Sequence, residues 1–429
     1  MIELGLTHSQ FKEYEAALVD SHRIKITARI LNRNEKTIDA LTSPFNRIVS
    51  GSVQVDVTGD VSRSLEMTLL DPRHQLRFDA GSAANGALYA DRFVAVDYEV
   101  YVDSLEGYVS VPIFWGPVTG FSRTGGEISL EAQGKESLLL APNYVTAGYE
   151  LKKGERVDEA IRRVARRAGE GRFDIPRIKD DRLHHNIPIS AQDEPWLVLA
   201  GGGTDADGKK QQGLQQQLRG DRRLFFDGRG RLSLRNFKRP PVYTFREDRD
   251  IVSPVSFSYD ILELRNTIVI KGGEKKGKGK DKAYGRIPLQ SRHPLSPESL
   301  ARNDTPRYMT EFIEAPGVRS DVEAEERARE ELDDMNEQMV DPSFECLPFP
   351  HLEELDRCRL RSEDGWMMSF QLKQFTIPLT CEEPMTIGGN REIEVRRRGS
   401  KKRHMKGSAH VGPGPSLNWG RGRGAADFG

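Results

Sequence analysis

Short segments of alternating apolar and polar residues constrain this chain more than any motif in it. Segments 23–30, 64–70 and 94–101 carry an apolar side chain at every second position. A period of two with turn residues between the segments, such as 58–60, is typical of half-buried antiparallel strands. Short, closely spaced strands favour a small barrel or sandwich, because closure removes exposed edges. The same pattern recurs at 53–57, 111–121 and 128–130.

A helical segment follows near residue 140. The apolar residues Val157, Ile161 and Val164 lie on one face of a predicted helix, and Gly169 is its expected C-terminal stop. Shorter helices are predicted over 195–200 and 211–218. A β-hairpin over 224–234 is predicted around the turn Asp227-Gly-Arg-Gly.

Strand patterns return near residue 251, and this second β segment contains one long helix. Ser320 followed by Glu323 is the signature of a capping box at its start. A Gly- and Lys-rich loop over 272–282 interrupts the strands, which resume over 357–360 and 366–377. The apolar stripe of the helix is Ala324, Ala328, Leu332, Met335 and Met339.

The predicted fold class is α+β and mainly β, with two small antiparallel β-barrels flanking a helical segment. The last part of the chain is predicted to be an extended basic arm. The predicted domains are 1–22, an N-terminal leader; 23–140, the first β-barrel; 141–250, the helical segment with its hairpin; 251–395, the second β-barrel with one long helix; and 396–429, the arm.

Charge and cysteine content narrow the function classes. The 64 basic and 65 acidic residues leave a net charge of −1, which argues against a protein that coats nucleic acid with its whole surface. Three cysteines do not make a disulfide framework and favour a reducing compartment. No apolar run approaches the roughly 20 residues that cross a bilayer, and the N-terminus does not resemble a signal peptide. A soluble chain is expected.

One segment imitates a phosphate-binding loop. Gly203-Thr-Asp-Ala-Asp-Gly-Lys-Lys has nearly the required spacing of glycines and lysine. Lys210, however, occupies the position of the Mg²⁺-binding hydroxyl, and Asp205 and Asp207 would face the phosphates. The same carboxylates lack the later oxygen ligands of a calcium loop. A flexible insertion between helices is the preferred interpretation.

Two other groups carry metal-ligand residue types. Cys346, His351, Cys358 and Cys381 could supply a zinc site, but four, six and 22 residues separate them and no Cys-x₂-Cys pair is present. Buried apolar cysteines are the preferred interpretation. The doublet 184–185 of histidines follows two aspartates, but adjacent residues of a strand point to opposite faces. We therefore expect no catalytic residue, cofactor or metal.

The basic C-terminal arm is the candidate partner-binding site. Residues 396–429 contain nine basic residues and one acidic residue, a net charge of +8, and this composition cannot form a packed core. The arm could bind nucleic acid through phosphates and stacking, or lie across an acidic neighbour in an assembly. The assembly arm is favoured, because the body contains no nucleic-acid recognition module. Its candidate residues are Arg396, Arg397, Arg398, Lys401, Lys402, Arg403, Lys406, Trp419, Arg421 and Arg423.

Three passages resemble phage tail hub proteins, which include the baseplate hub of contractile tails and the minor tail proteins at the tip of long flexible tails. These passages are 57–71 continuing to 114–121, Trp196 with the hairpin 225–235, and 255–272 followed by the Ser320 helix. The resemblance spans roughly residues 20–395. It implies two related small β-barrels joined by a helical region, three copies of which form a pseudo-sixfold collar around the tail channel. It transfers no catalytic residues.

The function implied is that of a structural hub subunit of a phage tail tip or baseplate. As a homotrimeric ring in the virion it would join the tail tube to the tip and line the channel for genome ejection, after assembly in the host cytoplasm. Expected partners are copies of itself, a distal tail or tail tube protein, the tape measure protein and other tip or fibre proteins, with nucleic acid only passing through the channel. The alternatives are a tail-associated cell-wall or glycan hydrolase, and a nucleic-acid-binding protein acting through the basic tail.

Overall fold

A computed structural model describes most of the chain before residue 392. The described residues are 1–19, 23–43, 47–73, 76, 92–140, 148–204, 210–211, 213–218, 222–236, 240–258, 265–275, 281–315, 318–336 and 341–391. Strands hold 45% of the residues and helices 16%, so the prediction of a mainly β chain is confirmed. No helix within these ranges is long and apolar enough to cross a membrane.

The first β segment begins with a helix and continues as seven strands. Their alternating burial follows the period of two seen in the sequence, as in β4, where every second residue is buried. The elements are α1 His8–Val19, β1 Ile24–Leu31, β2 Thr37–Ala40, β3 Arg47–Asp56, β4 Arg63–Leu70, β5 Phe93–Val102, β6 Gly107–Thr124 and β7 Glu127–Gln133.

The middle of the chain holds three helices and short strands. The helix predicted from Val157 is present, its apolar face is buried, and Gly169 follows it with a φ of 91°. The elements are α2 Glu136–Leu139, β8 Tyr149–Leu151, α3 Val157–Arg167, β9 Phe173–Asp174, β10 Ile187–Ile189, α4 Pro195–Ala200, β11 Gly202–Thr204, β12 Lys210–Gln211, β13 Arg222–Phe226 and β14 Leu232–Asn236.

The last part of the described chain returns to strands around one long helix. Glu323 N–H donates to Ser320 Oγ at 3.2 Å, as the predicted cap requires, while Glu323 Oε2 accepts from Arg319 N–H at 3.1 Å. The elements are β15 Tyr243–Arg246, β16 Ser256–Ser258, β17 Thr267–Glu274, β18 Lys282–Pro288, β19 Thr310–Ala315, α5 Asp321–Asn336, β20 Asp341–Cys346, β21 Arg357–Arg361, β22 Met367–Pro378 and β23 Met385–Arg391.

One 13-stranded sheet contains strands from both β segments, in the order β16-β20-β23-β22-β3-β4-β7-β6-β5-β1-β2, with β21 and β15 joined beside β22. Strand β22 connects the two halves. It pairs with β23 along one edge, and with β21 and then β3 along the other. Over the described residues the pairing does not close on itself. The predicted domain boundaries stay predictions.

Four separate cores of described residues support this arrangement, the smallest of which is Leu31, Phe93 and Ala95. The largest contains residues of both β segments together with Tyr14 and Leu18 of α1. A second core lies within 139–234, around α3, α4 and the β13–β14 hairpin. The third packs Ala324, Ala328 and Leu332 of α5 against the β18-β17-β19 sheet. The apolar stripe predicted for α5 is thus confirmed for these three residues; Met339 and the side chain of Met335 lie outside the described part.

The helix predicted over 211–218 is shorter than expected. Strand β12 ends at Gln211, and only Leu214–Gln217 form a helical turn, of the 3₁₀ type. Gly213 N–H donates to Gln216 Oε1 at 2.8 Å, which fixes the start of this turn. Leu218 is already extended, so the α-helical hydrogen bonds that a longer helix needs are not made.

The part of the chain from α2 to β14 is called the middle unit below. A buried ion cluster fastens the middle unit to the first β segment. Lys135 Nζ lies 2.6 Å from Glu35 Oε1 and 2.5 Å from Glu170 Oε2. Glu35 Oε2 also accepts from Trp115 Nε1 at 2.8 Å and from Arg172 Nη1 at 2.9 Å. Burial alone would raise the pKa of Glu35, but Lys135 and Arg172 together outweigh it and hold the pKa below the ordinary value. The carboxylate is therefore charged at neutral pH.

The hairpin turn of the middle unit fits against this cluster because it carries glycine. Gly230 has a φ of +65°, and a Cβ there would lie 2.5 Å from Trp115 Cδ1. Its carbonyl oxygen accepts from Lys135 Nζ at 3.2 Å. A side chain at this position would strain the backbone and also collide with the Trp115 ring.

We predict that Gly230→Ala destabilises the chain by about 2 to 4 kcal/mol, the combined cost of a left-handed alanine and of overpacking. Urea unfolding followed by tryptophan fluorescence measures the change. Gly171→Ala is the matched control, since a Cβ at Gly171 meets nothing within 4 Å. Equal midpoints for the two variants would show that the turn is not tightly held against Trp115.

Candidate assembly surfaces

Three strands end the large sheet, and two of them are exposed. Among the described residues, β2 pairs only with β1, β16 only with β20, and β15 only with β21. All four residues of β2 are exposed, including Ile38 at 45%. Phe257 of β16 is 47% exposed, whereas Tyr243 and Phe245 of β15 are buried. Strands β2 and β16 are therefore the edges that another chain could extend.

Large apolar side chains surround the β16 edge. The rings of Phe257 and Trp366 have centroids 5.8 Å apart. Met367, at the start of β22, is 63% exposed, and Val252 is 56% exposed. Exposed aromatic and methionine side chains grouped in this way are typical of surfaces that contact another protein.

Two buried glutamates meet where the middle unit contacts both β segments. Glu136 is fully buried and its Oε1 accepts from Ser62 Oγ at 2.7 Å and from Phe226 N–H at 3.4 Å. Glu354 is 4% exposed and interacts electrostatically with Glu136. Arg63, itself buried, donates from Nη1 to Ile113 O at 3.0 Å. The cluster thus joins β4, α2, β13 and the chain before β21.

Burial dominates the titration of this cluster. It raises the pKa of Glu354 to about 7, and the Glu136 carboxyl adds to the rise, although Arg63 and Arg223 lower it. Burial also raises the pKa of Glu136, against the hydrogen bond from Ser62. Removing two carboxylates from water costs more than the neighbouring guanidinium groups recover. At least one of these carboxyls is therefore protonated in mildly acidic solution.

The segment that resembles a phosphate-binding loop and a calcium loop in sequence begins and ends in the two strands of a small hairpin. Strands β11 and β12 pair with each other, Gly202 opposite Gln211, and Thr204 opposite Lys210. Asp205 and Asp207 lie outside the described residues. A helix does not follow the glycines; only the 3₁₀ turn at Leu214–Gln217 does. The strand–loop–helix arrangement of a phosphate-binding loop is thus not formed by the described residues.

The four candidate zinc ligands are separated by their environments. Cys346 and Cys358 are buried, and burial raises the pKa of both thiols, whereas Cys381 is exposed. Burial lowers the pKa of His351 to about 3, so this imidazole is neutral, with Nδ1 3.4 Å from the Tyr14 hydroxyl. Across the described residues, no three His, Cys, Asp or Glu side chains are grouped to hold a metal ion.

His184 and His185 are both exposed on a bend. Of the two aspartates before them, Asp181 is buried and binds Arg222, with 3.0 Å between Oδ2 and Nη1. This aspartate is occupied in holding the β13 strand to the chain before β10. The four residues therefore face different surroundings.

The candidate arm residues, Arg396 to Arg423, all lie outside the described residues. Neither the exposed residues at the sheet edges nor the buried Glu354 were predicted from the sequence. Ile38 and Phe257 carry no signal beyond strand propensity, because an edge is defined by which strands fail to pair. Glu354 carries no signal either, since its burial depends on residues more than 200 positions earlier, such as Glu136 and Arg63.

No protein-family model matches the chain, and no curated protein matches it in sequence. Solved structures do match. The 43 kDa tail protein of prophage MuSo2 from Shewanella oneidensis is similar with a TM-score of 0.55 and 10% identity, over 86% of this chain and 98% of that one. The tail protein from Neisseria meningitidis MC58 is similar with a TM-score of 0.51 and 10% identity, over 86% of this chain and 97% of that one.

This chain has the fold of phage tail proteins. The resemblance to phage tail proteins suggested by the sequence is confirmed at the level of the fold. At 10% identity the shared property is the arrangement of the backbone rather than any set of side chains. The match covers nearly the whole length of both tail proteins, so the tail-protein fold includes the middle unit as well as the large sheet.

We predict that stability of this tail-protein fold falls as pH rises through 7. The folded-state pKa of Glu354 lies above its ordinary value of 4.5, so the folded chain holds this proton more tightly than the unfolded chain. The stabilisation is complete below about pH 4.5 and is lost above pH 7, an effect of about 3 kcal/mol. Urea unfolding between pH 5 and 8 should show wild type losing this much relative to Glu354→Gln.

Glu382→Gln is the control for this measurement, because Glu382 is exposed. It should keep the pH dependence of the wild type. Parallel stability curves for wild type and Glu354→Gln would mean that Glu354 ionises normally.

Proposed function

We propose that this protein is a structural, non-enzymatic subunit of a phage tail tip that assembles into a ring. The chain has the fold of tail proteins. The observation that carries the proposal is that its large sheet ends in two different exposed strands, β2 and β16. Two unlike edges suit a head-to-tail contact, in which β2 of one copy pairs with β16 of the next. Such contacts form a closed ring when the rotation between copies divides a full turn.

We infer a homotrimer, as the resemblance to tail hub proteins implies. The halves of the sheet on either side of the β22–β3 pair would then correspond to two barrel-like domains per copy, six around the ring. The ring would join the tail tube to the tip and line the channel. Its further partners would be a distal tail or tail tube protein, the tape measure protein and other tip or fibre proteins, in the virion tail.

The C-terminal arm is proposed to bind a neighbouring protein in the tail. Its charge of +8 contrasts with the net −9 of residues 1–395, so its counterpart is expected to be acidic. The segment 396–429 is long enough to extend well beyond the subunit that carries it.

We predict that the purified chain has three times its mass of 48.3 kDa, about 145 kDa, in light scattering coupled to size-exclusion chromatography. Ile38→Lys and Phe257→Lys should each give monomers, because a charged residue at a sheet edge opposes strand addition. Gln54→Lys is the control: Gln54 is exposed but lies in β3 with Thr376 of β22 on one side and Ser64 of β4 on the other. A monomeric wild type would contradict the trimer.

Removal of residues 396–429 should leave folding intact, because a segment of this basic, Gly-rich composition cannot form a packed core. The truncated chain is predicted to have an unchanged unfolding midpoint and to bind its tail neighbour more weakly, as measured by co-purification with tail tube and tape measure proteins. Undiminished co-purification would show that the arm has another role. Steeply salt-dependent DNA binding that is lost on truncation would identify that role as nucleic-acid binding.

A further inference from the structure

Helix α5 presents a strongly acidic surface. Its 16 residues include eight acidic residues and two arginines, a net charge of −6. Ala324 and Ala328 face the β18-β17-β19 sheet, while Glu323, Glu325 and Glu326 are exposed. Asp321 is paired with Lys275 and Glu331 with Arg327. The acidic side chains still outnumber these cations, and like charges this close repel one another.

The charge of α5 also opposes its own dipole at one end. Asp333 and Asp334 belong to the last turn, which contains no basic residue. The C-terminal end of a helix has partial negative charge and is stabilised by cations. A basic segment placed along α5 and past its end would therefore relieve both repulsions.

The last strand before the arm ends within reach of this helix. Strand β23, the last before the arm, runs antiparallel to β20 with Gly388 opposite Ser343. Since β23 ends at Arg391 and β20 begins at Asp341, the exit of the arm lies next to the start of β20. Strand β20 follows α5 after only four residues, so the end of α5 is no more than about 19 Å from Asp341.

The arm is long enough to cover the helix from that exit. Helix α5 is about 24 Å long. The 28 residues from Arg396 to Arg423 could extend to roughly 95 Å, so the arm can follow the whole helix with length to spare. Its charge of +8 and the −6 of α5 are of similar size and opposite sign.

We propose that the exposed face of α5 is the docking surface for the arm of the same chain before assembly. The inference rests on the proposed role of the arm in binding a neighbouring tail protein. The helix holds the arm close to the subunit and balances its charge, which keeps the arm from nucleic acid and other polyanions. A neighbour with a more acidic surface then takes the arm over when the tail assembles.

Zero-length carbodiimide crosslinking of the full chain at low salt tests the contact. Bonds between the arm lysines (Lys401, Lys402 and Lys406) and Glu325 or Glu326 are expected in peptide mass spectra, and they should disappear at 0.5 M NaCl. A mixture of ¹⁵N-labelled and unlabelled protein separates the two geometries. Same-isotope peptides alone support docking within one chain. In an equal mixture, mixed peptides that approach half of the total, the share produced by random contact between copies, would overturn it in favour of a neighbouring copy.

Charge reversal provides the controls. Glu325→Lys with Glu326→Lys should abolish the crosslinks from the arm lysines to the remaining carboxylate Glu323, whereas Glu382→Lys with Glu383→Lys, an equally exposed adjacent pair in the β22–β23 turn, should leave all arm–α5 crosslinks unchanged. Adding Lys401→Glu, Lys402→Glu and Lys406→Glu to the α5 reversal should restore them. Equal loss in the Glu382/Glu383 variant, or no restoration, would overturn the proposal. Light scattering on the same samples reports ring formation independently.

Discussion

The pairing of β22 with β3 is the constraint on which the rest of the structure depends. Five residue pairs, from Gln374 opposite Asp56 to Pro378 opposite Ser52, join strands more than 300 residues apart in sequence. The junction is reinforced by Gln374 Nε2, which donates to Asp56 Oδ2 at 2.8 Å, and by Val57 N–H, which donates to Lys373 O at 3.0 Å. Without this pairing, the two β segments would be separate sheets, each with one more exposed edge.

A shared sheet also fixes where the edges are. Because β22 and β3 pair with each other in the middle of the sheet, β2 and β16 remain at opposite ends of the strand order. Edges that differ in sequence and position cannot satisfy each other within a symmetric pair, and they favour head-to-tail rings instead. The ion cluster around Lys135 and Glu35 then fastens the middle unit to the first half of the sheet, whereas the Arg235–Glu353 ion pair fastens it to the second, so the two halves hold it by different contacts.

Local patterns predicted the local structure, and the remainder depended on long-range contacts. The alternation at 64–70, the stop at Gly169 and the cap at Ser320 each report on neighbours within one turn or one strand, and each is confirmed. Strand β15 pairs in parallel with β21, which lies over 100 positions later in the sequence. Strand β15 itself lies inside the segment predicted as helical. The sheet edges, the nearest features to a functional site, follow from such pairings and were beyond reach from the sequence.

The near-zero net charge is the sum of two kinds of charged residues, which differ in where they lie and in what they contact. The buried Lys135 and Glu170 pair with each other, and the half-buried Arg235 pairs with Glu353, so these charges hold the units together. The charged residues of α5 are mostly acidic and those of the arm are mostly basic, so charges of opposite sign lie in separate segments. Charges that served only solubility would gain nothing from such separation, whereas long-range attraction between chain segments requires it. Segregated charge gives an interaction that salt and a competing charged surface can reverse.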